Sequence, residues 1–97
     1  MLAINDDEKN IILEILSKNL PDANFWAFGS RINDTAKKYS DLDIAIIDHD
    51  KIPLNKITVL KDDLSQTDIP YIIDIVDYNR ISDEFKNHIT NSHIKLN

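Results

Sequence analysis

The chain has 97 residues, a net charge of −6 and no cysteine, which implies one domain with a modest core and excludes disulfides, thiolate metal sites and a cysteine nucleophile. No Lys or Arg stripe offsets the acidity, so tight binding of duplex nucleic acid through phosphate neutralisation is not expected. The longest apolar runs are too short to cross a membrane and the start, MLAINDDEKN, is acidic where a signal peptide would be basic, so a soluble, unprocessed, cytoplasmic protein is expected.

From Asn5 to about Leu20, the residues Ile11, Ile12, Ile15 and Leu16 recur at helical spacing, with Asp6, Asp7 and Glu8 at the front and Lys18 at the back. This is an amphipathic helix whose charges suit its dipole, stopped by Pro21. NFWAF, 24–28, reads as a short strand ending at Gly29, the one glycine of the chain. A brief helix is expected over 30–38, beginning at the Gly-Ser turn, and DLDIAIID, 41–48, reads as a second strand.

Pro53 reads as the first-turn proline of another helix, which presents Leu54, Ile57, Leu60 and Leu64 inward and ends near Gln66. PYIIDIVDY, 70–78, is a third strand. A last helix is capped by Ser82, with Phe85 and Ile89 turned inward. The tail HIKL adds an edge strand or frays. The order α, β, (α), β, α, β, α describes a single α/β (α+β) domain over 1–97, with helices covering a small mixed sheet. Strand order is not legible from this pattern.

Side chains two apart in a strand share a face, so Asp41 and Asp43 project together from Cα atoms roughly 6.5 Å apart, a spacing at which carboxylates share divalent cations. Leu42, Ile44 and Ile46 point the other way into the core and hold the register. The plain alternative makes Asp41 a turn residue and Asp43 a solvated edge residue. Asp74 shifts the balance: it lies mid-run in YIIDIVD with Ile72 and Val76 on its face, where an ionised carboxylate is costly unless paired or metal-bound. Asp77 competes for this third position, but it faces oppositely, at the strand end where a turn aspartate is expected.

A strand that runs into Gly29-Ser30 and then a helix brings backbone N–H groups together at a place suited to phosphate, and Ser30 adds a hydroxyl. An ordinary tight turn with Ser30 as N-cap is the simpler reading of the dipeptide alone. His49, His88 and His93 have no recognised metal spacing, Trp26 and Phe28 suit the core or an interface, and Lys37 and Lys38 suit solvent.

Taken together, GSR at 29–31, the DLDI of 41–44 and an aspartate in a later apolar strand resemble the nucleotidyltransferase superfamily that includes DNA polymerase β. The short chain narrows the resemblance to its minimal nucleotidyltransferase group, whose members are frequently antitoxins paired with HEPN-domain proteins. The resemblance implies a palm-like mixed sheet flanked by helices. It implies that Gly29, Ser30 and Arg31 bind the nucleotide, and that Asp41, Asp43 and Asp74 are catalytic and ligate two Mg²⁺ ions. It further implies that AMP passes from ATP to a hydroxyl, a tyrosine of a cognate HEPN toxin, which is thereby silenced. A non-catalytic antitoxin that acts by occlusion is the alternative; transfer to tRNA or an antibiotic is disfavoured by the lack of a basic groove or second domain.

Overall fold

The computed structural model describes residues 2–32, 37 and 40–97. Helix α1, Asp6–Asn19, begins in a capping box: Asn5 Oδ1 accepts the Glu8 N–H at 2.7 Å and Glu8 Oε1 accepts the Asn5 N–H at 3.3 Å. Three acids in its first turn and Lys18 in its last suit the dipole, and Ile12 and Leu16 are its buried residues. Strands β1, Asn24–Phe28, and β2, Leu42–Ile47, pair antiparallel, with Phe25 opposite Ile46 and Phe28 opposite Asp43.

Helix α2, Leu54–Ser65, buries Ile57, Leu60 and Leu64, whereas Leu54, expected inward, stands at the helix start and is 63% exposed. Pro53 is its N-cap, one position earlier than the expected first-turn place. The helix carries the chain across to β3, Ile73–Asp77, which pairs parallel to β2. A 3₁₀ turn over Tyr78–Arg80 leads to α3, Asp83–Asn91, whose cap Ser82 accepts the Phe85 N–H. The tail resolves as β4, Ile94–Lys95, antiparallel to β1. The mixed sheet has the order β3-β2-β1-β4.

Alternation divides the sheet. Phe25, Ala27, Leu42, Ile44, Ile46 and Ile75 are buried on one face, where α1 packs on α2 and α2 on β3. Across the other face, Phe28 meets Phe85 of α3 edge-on at 5.7 Å. Trp26 stacks on His93 at 4.0 Å with 11° between the planes. Trp26 and Phe28 are thus packing residues, as expected.

Two further expectations need correction. Ser30–Ile32 form a turn, in which the Ile32 N–H donates to the Gly29 carbonyl at 3.2 Å, and Lys37 belongs to no helix. The brief helix over 30–38 is therefore absent wherever that segment is described; its remaining positions, 33–36 and 38, lie outside the described residues. The physical reason is partly local and partly tertiary: a left-handed Gly29 starts a turn, and Arg31 is drawn inward to the Ala3 and Ser40 carbonyls. The second correction concerns which aspartate is buried. Asp74 is exposed and its neighbour Ile72 is 68% exposed, because β3 is the outermost strand.

Asp77 is the buried carboxylate of β3, 5% exposed. Its Oδ2 accepts the Ile52 N–H at 2.8 Å and lies 3.3 Å from Arg80 Nε, while Oδ1 accepts the Asn79 N–H at 3.0 Å. Arg80 in turn donates to the Ile52 carbonyl at 2.9 Å. This clamp fastens the β2–α2 loop to the end of β3. Removing one member of such a group strands the others, so Asp77→Ala is expected to cost about 3 kcal/mol in urea unfolding. Asp74→Ala should change that midpoint little.

Candidate active site

The sheet brings the motif residues to one end. Asp43 is opposite Phe28 on one side and opposite Asp74 on the other, so Phe28, Asp43 and Asp74 form a row across three strands. Asp41 precedes β2 on the face Asp43 occupies and is exposed. Gly29 follows Phe28 directly and has φ +84°, a conformation that favours glycine. A Cβ at this position would run into the Asp43 carboxylate, with its Cγ at 3.3 Å. The glycine therefore has two duties: it turns the chain out of β1, and it lets a carboxylate rest against the backbone of the turn.

The electrostatics follow from that placement. Burial pushes the Asp43 carboxyl above its ordinary range, and the negative charges of Asp74 and then Asp41 push it further. None of the three carboxylates makes an ion pair with a described residue. Hard oxygen donors that repel one another, without a basic side chain between them, suit a divalent cation. Among the described residues, no three acidic, imidazole or thiol side chains are already gathered tightly enough to hold an ion by themselves. Ser30 is half-buried beside the row, and its hydroxyl makes no hydrogen bond to a described residue.

Arg31 is placed differently from its neighbours in the motif. It is 6% exposed; Nε donates to the Ser40 carbonyl and Nη1 to the Ala3 carbonyl, both at 2.8 Å. Its guanidinium lies 3.8 Å from the centre of the Tyr71 ring, and the Tyr71 hydroxyl donates to Glu8 at 3.0 Å. Burial, then the Glu8 bond and charge, hold the Tyr71 phenol well above its ordinary range. Arg31 thus ties both ends of the 31–40 segment to the start of the chain and to the entry of β3. Sequence reasoning missed Tyr71, and no local signal marks it.

The residues from 10 to 97 match the family model described as polymerase beta, nucleotidyltransferase. The chain belongs to that family. It is therefore a nucleotidyltransferase. Over 95 residues it is 38% identical to the probable protein adenylyltransferase MntA of Haemophilus influenzae, covering 98% of this chain and 83% of that protein.

Among solved structures, it is similar to a toxin–antitoxin complex with AMP-PNP, at TM-score 0.74 and 27% identity over 91% of this chain and 71% of the other. It also shares its fold with a chain in the complex of a tri-AMPylated Shewanella oneidensis HEPN toxin with an MNT antitoxin. There the TM-score is 0.70 at 24% identity, over 96% of this chain and 71% of that one. No helix among the described residues is long and apolar enough to cross a membrane.

Proposed function

We propose that the chain transfers AMP from ATP to a tyrosine hydroxyl of a cognate HEPN-domain toxin and acts as its antitoxin in the cytoplasm. The observation that carries this reading is the row in which Asp43, backed by Gly29, faces Asp74. Its support is the likeness to an adenylyltransferase and to complexes of a HEPN toxin with an MNT antitoxin. The Gly29–Ile32 turn and the Ser30 hydroxyl receive the triphosphate. Asp41, Asp43 and Asp74 hold two Mg²⁺ ions, which supply charge neutralisation at the α-phosphate and the leaving pyrophosphate when bound.

Asp74, exposed at the sheet edge, takes the proton of the incoming hydroxyl. The phenolic oxygen then bonds to the α-phosphorus in line with the departing group, the bond from that phosphorus to the bridging oxygen breaks, and pyrophosphate leaves with the electron pair. Arg31, committed to two carbonyls and a ring, supports the turn rather than substrate. The acidic chain suits a basic partner face.

The test is to purify the chain with the product of the neighbouring gene and measure the partner's intact mass after incubation with Mg·ATP. Addition of one or more AMP groups is expected, and none with Asp41→Asn plus Asp43→Asn. A tight complex whose partner gains no mass would instead establish neutralisation by occlusion.

A further inference from the structure

We propose that Tyr71 and Glu8 are positioning residues of the nucleotide site: through Arg31 they hold the Gly29–Ile32 turn and the backbone that leads into Asp41. The inference rests on the transferase reading above and adds to it residues that touch neither nucleotide nor cation.

Asp41 needs such support because the sheet does not supply it. It stands one position before β2; the ladder with β1 ends at the pair Phe28–Asp43, and the ladder with β3 begins at the pair Leu42–Ile73. Its side chain is exposed, so packing does not place it either. What holds it is the backbone on its two sides. The Ser40 carbonyl, in the peptide group that joins Ser40 to Asp41, accepts the Arg31 Nε–H at 2.8 Å. The Leu42 N–H donates to the Ile72 carbonyl at 2.9 Å. Both holds lead to one place, since the ring of Tyr71, the residue before Ile72, lies 3.8 Å from the Arg31 guanidinium.

Arg31 fixes the turn as well. Its carbonyl accepts the Ala3 N–H at 2.7 Å while its Nη1 donates to the Ala3 carbonyl at 2.8 Å, so backbone and side chain grip the same residue. The next residue, Ile32, donates its N–H to the Gly29 carbonyl at 3.2 Å. A shift of the guanidinium would therefore displace the turn and Asp41 together.

The guanidinium is itself held. Arg31 is 6% exposed, and the ring against it is anchored by its hydroxyl, which donates to Glu8 Oε1 at 3.0 Å. The same oxygen accepts the Asn5 N–H at 3.3 Å at the start of α1. Burial first, and then Glu8, keep the phenol protonated and thus a donor. Ala3, Asn5 and Glu8 all precede residue 10, where the family match begins.

Tyr71→Leu keeps an apolar side chain against the core and removes both ring and hydroxyl. Calorimetry of the chain bound to its partner gives the affinity for Mg²⁺ with an ATP analogue bridged by methylene between the α and β phosphorus. AMP transfer is read from the partner's intact mass, and amide exchange is followed in the nucleotide-free chain. Tyr71→Leu should bind the analogue roughly tenfold more weakly or worse, the loss that follows removal of a residue that orients a metal ligand, and transfer should fall with it. The Ala3 and Ile32 amides should exchange about tenfold faster while those of β2 keep their rates, as in a local opening. Glu8→Gln, which keeps an acceptor for the hydroxyl, should match the wild type in all three. A residue that only supported the core would behave otherwise: a smaller folded fraction lowers turnover and speeds the β2 amides, but leaves the affinity of the folded molecules unchanged.

Wild-type transfer combined with unchanged affinity in Tyr71→Leu, with Ala3 and Ile32 amides no faster than in the wild type, or with β2 amides accelerated alike, would overturn the positioning role and leave the transferase reading standing. Absence of any transfer by the wild type would overturn both. If Tyr71→Leu does not fold, Glu8→Ala, which keeps the ring and removes its anchor, decides by the same readouts. Its control is Asn5→Ala, which removes the side-chain cap of α1, keeps the anchor and should leave the affinity unchanged.

Discussion

Asp43→Asn is expected to lower AMP transfer by at least ~100-fold, the upper end of what is lost when a group that only orients a metal ligand is removed. The same substitution should leave the cation-free protein as stable as the wild type, or more so. The Asp43 carboxyl is pushed up from 3.8 by burial and by the charges of Asp74 and Asp41. An acid whose folded pKa lies above its unfolded value binds its proton more tightly in the folded state. Its relative stabilisation is therefore complete below the ordinary carboxylate range, and it is lost as pH rises through the raised value. At neutral pH the wild type carries that full penalty, and asparagine, neutral throughout, does not. Adding Mg²⁺ with nucleotide should raise the thermal midpoint of the wild type and not that of Asp43→Asn, because only a ligand bound to the native state shifts the equilibrium. A less stable variant in cation-free buffer, or retained transfer, would contradict this account.

Gly29→Ala is the second substitution with a large expected effect. A left-handed φ costs an L-residue about 1–2 kcal/mol, and the added Cβ also meets the Asp43 carboxylate. The expected loss is about 2 kcal/mol or more in urea unfolding, since neither the turn nor β2 yields without breaking pairs. Transfer should fall by roughly 100-fold, the cost of displacing a reacting group by about an ångström. The two causes separate in a double-mutant cycle. In an Asp43→Ala background the clash is relieved and Gly29→Ala should cost only the conformational part, a positive coupling for residues in contact. Strict additivity would show that the carboxylate and the turn are independent, contrary to the geometry.

These two residues were prominent in the sequence because their chemistry is local. A lone glycine between an apolar strand and a serine, and alternating aspartates in a strand whose other positions are Leu42, Ile44 and Ile46, announce themselves by neighbours alone. From the sequence alone Asp74 reads as a buried charge in need of a cation. The structure retains it in the row with Asp43 but exposes it, and buries Asp77 instead. The partner that makes Asp77 structural, the Ile52 N–H, lies 25 residues away. Arg31 shows the same difficulty. Its motif position suggested a phosphate ligand, yet its contacts include Ala3, Ser40 and Tyr71, on three separate segments.

Periodicity and capping sufficed for α1, β1, β2, α2 and the capped start of α3, since a repeat of 3.6 or 2 is set by which side chains must leave water together. The face shared by Asp41 and Asp43 followed from the same rule. Strand order did not, because the choice of neighbours depends on pairings remote in the chain. Placing β3 at the edge exposed Asp74, and closing β1 against the two-residue β4 drew in the tail. Whether a carboxylate is buried, and whether an arginine reaches substrate or its own backbone, depends on contacts that exist only once the sheet has assembled.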